Sequence, residues 1–173
     1  MASKNILIYG DKILRQKCDP VEKIDETILQ LIQDMKDTLV EASGAGLAAP
    51  QIGSPVRLIL VKTSEKNENS DTFVLINPEI LKSEGKLESD EGCLSIPGVT
   101  ETVERFANIT VEYMAEDGET NVIDASEFLS RVLQHEIDHL NGILFVDRLG
   151  MVRRDMIKRK LKKRFGKKER VKT

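Results

Sequence analysis

The stretch Gln134-His135-Glu136-Ile137-Asp138-His139 contains both histidines of the chain. Residues four apart share one face of a helix, so the two imidazoles can reach one metal ion. The glutamate beside the first histidine then stands where it can take the proton of a water activated there. Two unrelated surface histidines on an amphipathic helix would give the same letters. Against that reading, Phe128, Val132, His135, Glu136 and His139 form a continuous stripe at helical spacing. The pattern predicts a metal-binding helix from about Ser126 to Asn141, stopped at Gly142.

A catalytic metal needs a third protein ligand. In peptidases with a third histidine, His139-Leu140-Asn141-Gly142 would lead to a histidine at the position held by Phe145. In the class with a glutamate roughly twenty residues further on, the acids between Leu140 and Lys168 are Asp147, too close, and Asp155, in a basic stretch. The ligand is therefore sought upstream, among Cys18 and Cys93. Cys18, in Gln16-Lys17-Cys18-Asp19-Pro20, has the character of a small buried core residue. Cys93, in Glu91-Gly92-Cys93-Leu94-Ser95, follows a glycine that permits a turn and the close approach of a ligand. Cys93, His135 and His139 form the expected ligand set, and a thiolate among them suits iron, zinc or nickel rather than magnesium or calcium. Asp138 is expected as an outward polar group or a partner of a ligand, not as a ligand itself.

Three segments taken together resemble the motifs of peptide deformylases, in order and spacing. They are Gly44-Ala45-Gly46-Leu47-Ala48-Ala49-Pro50-Gln51, Glu91-Gly92-Cys93-Leu94-Ser95 and Gln134-His135-Glu136-Ile137-Asp138-His139. Gly10-Asp11-Lys12-Ile13-Leu14-Arg15 and Gly142-Ile143-Leu144-Phe145-Val146-Asp147-Arg148 extend the likeness over nearly all of 4–150. The resemblance implies removal of the formyl group from N-formylmethionyl nascent peptides, with release of formate. It implies one divalent metal per chain, with Fe2+ favoured and Zn2+ or Ni2+ as alternatives. It implies Glu136 as proton carrier, and the Gln51 amide and the Leu94 backbone N–H as donors to the formyl oxygen. Gly46 would let the substrate backbone lie close. Phe128 and Val132 would wall the methionine pocket, although their periodicity fits ordinary core packing equally well. Lys12, Glu127 and Ser130 depart from the residues usual in the family, and no long insertion is present, as in the compact bacterial form.

The chain's 173 residues and 40% hydrophobic content suit one domain with a substantial core. The apolar run Ile6-Leu7-Ile8-Tyr9 is too short for a signal peptide, and no stretch approaches membrane-spanning length. Two cysteines, one wanted as a thiolate, suit a reducing compartment, so a cytoplasmic location is expected; a monomer is the expected state. The net charge of −3 conceals two parts: 151–173 carries +10 and the remainder −13. A catalytic unit over 1–150 and a basic helical tail over 151–173 follow as the expected division. Leu149, Val152, Met156, Leu161 and Phe165 are the expected apolar stripe of that tail. The resemblance implies that the tail meets the ribosome; a solvated face, an anionic lipid surface or a nucleic-acid-binding module with an inactive centre are the alternatives.

Elsewhere, Asp25 and Ser43-Gly44 bracket a helix over roughly 25–42. Strands are expected at Val56–Lys62, Phe73–Asn77, Ile80–Leu87, Thr102–Arg105, Ile109–Met114 and near 120–124. Gly44 to Gln51 and the polar Thr63–Asp71 are expected as loops. The fold class is α+β: short antiparallel β-sheets packed around a central metal-binding helix, with an N-terminal helix and a C-terminal basic helix.

Overall fold

The computed structural model describes residues 2–67 and 71–166. Helix α1 spans Glu26–Ala42. The Asp25 carboxylate accepts from the Ile28 N–H at its start, and Ser43 closes it in a left-handed conformation. Strands β1 (Gly46–Ala48), β2 (Leu58–Lys62), β3 (Thr72–Glu84), β6 (Asn108–Met114) and β7 (Thr120–Ser126) form one antiparallel sheet in that spatial order. Strands β4 (Leu87–Cys93) and β5 (Ile96–Arg105) form a separate hairpin. Helix α2 covers Glu127–Leu140 and helix α3 covers Met151–Phe165.

The pleat of β2 explains how the sheet holds a helix on each face. Leu58 and Leu60 pack with Ile32, Met35 and Leu39 of α1. Ile59 and Val61 pack with Val132, Leu133, Ile137 and Leu140 of α2. A buried strand between two helices has no polar face, which is why this segment is a nearly unbroken run of branched apolar residues. The third apolar group joins Ile96 and Val103 of the hairpin to Phe145 and to Ile157 and Leu161 of α3.

Several expectations require correction. Gly44 to Gln51 is not simply a loop: Gly46–Ala48 pairs with β2, and Ala49–Ile52 forms a 3-10 turn. Its glycines and alanines carry too little side chain for an apolar pattern, yet smallness is what lets the strand lie against α2. Two short strands before and after Pro78 are one long β3. Its register shifts between Ile76 and Glu79, so the Asn77-Pro78 signal is absorbed as a bulge. Asn77 takes a left-handed conformation and exchanges two hydrogen bonds with the Val21 backbone. Strand β4 and the first half of β5 were not expected, because Leu87-Glu88-Ser89-Asp90-Glu91 is mostly acidic. Of the stripe expected in α3, Leu161 is buried and Leu149 and Phe165 pack beside it, while Val152 is 83% exposed and Met156 39%; Ile157, outside that stripe, takes the inward place. The end of the tail and 68–70 of the Thr63–Asp71 segment lie outside the described residues.

Helix α2 ends where Gly142 turns back at φ +71°, with the Gly142 and Ile143 N–H groups donating to the His139 and Asp138 carbonyls. A methyl group on Gly142 would collide with the Arg15 carbonyl. Gly142→Ala should therefore destabilise the protein by at least ~1–2 kcal/mol, from both backbone strain and the collision. Urea unfolding followed by circular dichroism measures this, and an unchanged midpoint contradicts it.

Candidate metal centre

Helix α2 is buried over most of its length, including Ser130, Gln134, His135, Glu136, Asp138 and His139. A polar helix in this position needs partners for every polar atom. Gln134 and Ser130 find theirs on the Phe106 backbone, to which Ser130 Oγ and Gln134 Nε2 donate and from which Gln134 Oε1 accepts. This clasp ties the helix to the β5–β6 turn. The next turn of the helix directs His135, Glu136 and His139 toward the hairpin and β1.

Cys93 reaches the same place from the end of β4. The β4–β5 register shifts between Glu91 and Cys93, so Gly92 lies where the strand bulges and the next side chain is re-aimed. Cys93 pairs with Ile96, leaving Leu94 and Ser95 at the hairpin tip. Cys93 Sγ lies 3.3 Å from His139 Nε2. One ligating atom from each of Cys93, His135 and His139 falls within 4.8 Å of the others. The His135 and His139 rings stand 5.1 Å apart and nearly edge to face. A thiolate and two imidazoles converging this closely fit a four-coordinate transition metal with one position left for substrate or water.

The surroundings prepare these donors. His135 Nδ1 is 2.9 Å from Glu91 Oε1, which leaves Nε2 for the centre. Phe145 stacks on the His135 ring at 6.1 Å. Burial above all holds His139 well below its ordinary range, so it is the neutral imidazole that a ligand must be. Burial pushes the Glu91 carboxyl up, but hydrogen bonds from Arg105 and His135 outweigh it and bring the group down to about 2.

Glu136 lies flat against Gly46. A β-carbon at Gly46 would stand 2.6 Å from Glu136 Oε1, so only glycine leaves room for the carboxylate. Glu136 Oε2 is buried without a hydrogen-bond partner. Burial, partly offset by His135, pushes this carboxyl up to about 7, a value suited to accepting and returning a proton. Gln51 is buried; its Oε1 accepts from the Ala48 N–H, so Nε2 is turned toward Cys93 Sγ at 3.6 Å and Ser95 Oγ at 3.1 Å. A cleft of about 1070 Å³ opens over these groups, and Gly46, Gln51, Leu94, Phe128, Val132 and Glu136 all line it. Val132 serves both readings weighed for it, since it lines the cleft and also belongs to the core beneath the sheet. Phe128 lies under the Arg131 guanidinium, 5.4 Å from its ring centre.

The chain thus brings the expected site residues together at one cleft, with His139 buried beside Cys93. Cys18 lies apart from the centre, buried against the Leu140 end of α2. Sequence reading missed Glu91 and Arg105, and left Asp138 between two roles. Asp138 is buried and pairs with Arg105 at 2.6 Å and Arg148 at 2.7 Å. The available signal was the alternation of β5, which puts Arg105 on the same inward face as Val103. An arginine there demands buried acids.

Polypeptide deformylase is the family whose model matches, over residues 3–155. The peptide deformylase of Syntrophobacter fumaroxidans is 46% identical over 95% of this chain and 97% of its own. The crystal structure of the Thermus thermophilus enzyme is 43% identical, with a TM-score of 0.88 over 96% of this chain and 99% of that one. A class I type b deformylase of Acinetobacter baumannii, solved with Met-Ala-Ser bound, is 34% identical, with a TM-score of 0.80 over 86% of this chain and 99% of that one. With family model, relatives and fold in agreement, this chain belongs to the polypeptide deformylases.

Proposed function

We propose that this deformylase removes the formyl group from the N-terminal formylmethionine of nascent peptides, with Cys93, His135 and His139 holding one divalent metal and Glu136 carrying the proton. The convergence of those three donors within 4.8 Å, beside a buried carboxylate, is the observation that supports it. A metal held there supplies a Lewis acid that polarises the formyl carbonyl and brings the pKa of water toward neutrality. The thiolate would cancel one of its charges and suits iron, zinc or nickel, and kinship with the deformylases favours Fe2+ among them.

The residues of the chain do the rest. Water adds to the formyl carbon as Glu136 accepts its proton. Gln51 Nε2 and the Leu94 backbone N–H donate to the formyl oxygen as negative charge builds there. The bond from the formyl carbon to nitrogen then breaks, Glu136 returns its proton to the departing amine, and formate leaves with the oxygen of the water. Gly46 lies on β1, the edge strand of the larger sheet, where an extended peptide can run alongside. Phe128 and Val132 receive the methionine side chain, consistent with the peptide Met-Ala-Ser bound by the Acinetobacter protein.

The tail supports a second contact, with the ribosome that delivers the substrate. Among the described residues of α3, Arg153 is paired with Glu101, Lys158 with Asp147, and Arg164 donates to the Pro97 carbonyl. Arg159, Lys160, Lys162 and Lys163 point outward, opposite Ile157 and Leu161. The division into a catalytic unit over 1–150 and a basic tail over 151–173 is read as one of role, since Ile157 and Leu161 of α3 pack into the same apolar group as Phe145.

Formate release from a formylmethionyl peptide by anaerobically purified, metal-analysed protein is the direct test. Glu136→Ala should keep its metal and lose activity by roughly 10²–10⁴-fold, the usual worth of a positioned proton carrier. Gly46→Ala should approach the same loss by displacing that carboxylate. Cys93→Ser should shed metal on dialysis, because a hydroxyl is a poor ligand, whereas Cys18→Ser should retain it. Reversing Arg159, Lys160 and Lys163 to glutamate should abolish salt-sensitive ribosome binding while turnover of a short formyl-peptide is kept. Co-sedimentation across a salt series separates that result from a solvated face, which would leave binding unchanged.

A further inference from the structure

The buried groups around α2 include a cluster of full charges that the reaction does not use, Arg105 with Glu91 and Asp138. Arg105 is on β5, its side chain 3% exposed. Its guanidinium spends all of its geometry inside the protein. Nε donates to Glu91 Oε2 at 2.8 Å and Nη2 to Glu91 Oε1 at 2.9 Å, while Nη1 donates to Asp138 Oδ2 at 2.6 Å. Glu91 stands two residues before Cys93 and accepts from His135; Asp138 immediately precedes His139. One planar group therefore joins the strand that carries the cysteine to the helix that carries both histidines.

We infer that Arg105 is the positioning residue of the metal centre: its forked grip on both oxygens of Glu91 fixes the direction in which Glu91 receives His135 Nδ1–H, and thereby aims His135 Nε2. This rests on Cys93, His135 and His139 being the ligands, and deepens that reading. Glu91 on its own is not held: a carboxylate hydrogen-bonded only to an imidazole can rotate about its terminal torsion and carry the ring with it. Two parallel N–H groups on one guanidinium remove that freedom, and the third direction of the same plane locks the arginine itself to α2. A lysine supplies the charge without the fork, so it cannot satisfy Glu91 twice and Asp138 once. Arg148 is the internal comparison. It also binds Asp138, but its side chain is 46% exposed and it makes no contact with Glu91.

The test uses cobalt as the probe metal in the full-length protein. Arg105→Lys, which keeps the buried charge, should lose Co2+ to a chelator about 10–100-fold faster than wild type, the usual effect of removing a group behind a metal ligand. The visible spectrum of the cobalt form, which reports the direction of its donors, should shift as well. Glu91→Gln should show the same acceleration, and adding Arg105→Lys to it should give little more, because the arginine acts through that carboxylate. Arg148→Met should release cobalt at the wild-type rate. An unchanged spectrum and rate in Arg105→Lys overturn the inference, as do independent effects of Arg105 and Glu91 that multiply, or an Arg148→Met protein that behaves like Arg105→Lys. A wild-type chain that takes up no cobalt refutes the ligand set itself, which is a different outcome from an Arg105 variant indistinguishable from a cobalt-loaded parent.

Discussion

A central helix that is polar where it is most buried sets the terms for everything packed around it. Gln134, His135, Glu136, Asp138 and His139 are all below a tenth exposed, in a helix sandwiched between a sheet and a hairpin. Removing so many polar atoms from water is unfavourable unless each is paired. The surrounding elements supply the pairs. The Phe106 backbone satisfies Gln134, while Glu91 receives His135 and Arg105 and Arg148 neutralise Asp138. On this helix, Glu136 Oε2 and His139 Nδ1 are left unpartnered, beside the converging thiol and imidazoles. Of the two atoms, Glu136 Oε2 belongs to the place where the proposed chemistry happens, whereas His139 turns its other ring nitrogen, Nε2, toward Cys93.

The same demand explains the smallness of the segment facing the helix. Gly46 admits Glu136, and Leu47, Ala48 and Ala49 are completely buried around it. A larger residue at Gly46 would push the carboxylate out of line. The apolar halves of the molecule do different work: α1 and its face of the sheet supply a conventional core, while α2 contributes apolar packing on one side and chemistry on the other. Helix α3 adds a third apolar group and leaves most of its cations to solvent, so the body and the basic surface meet through a few named contacts.

Much of the site was legible because its chemistry is local. His135, Glu136 and His139 share a helix face, and helical spacing is a property of adjacent letters. Helix α1 was legible for a similar reason, with a capping aspartate, an apolar stripe and a stop signal in one window. Strand β4 was not, because Glu88 and Asp90 alternate outward while two of its inward residues, Ser89 and Glu91, are polar as well. Strand β1 was hidden by having almost no side chains to form a pattern. In α3, periodicity found a helix and most of its docked face, Leu149, Leu161 and Phe165, but put Val152 and Met156 where Ile157 belongs, since so basic a sequence has no dominant apolar stripe and the docking depends on Ile96, Val103 and Phe145.

Family, fold class and the identity of the converging groups could all be read from the order of the residues. Residue types and spacing limit which side chains can bind a metal or move a proton, and three motifs in order are specific enough to name their relatives. How those groups are aimed could not be read that way. Arg105 and Glu91 lie 14 residues apart, and Arg105 and Asp138 33 residues apart. No local pattern relates them, because pairing between buried charges is set by which strand and helix pack together. Direction, burial and the resulting shifts in proton affinity are long-range properties, and they appear only when the chain closes around α2.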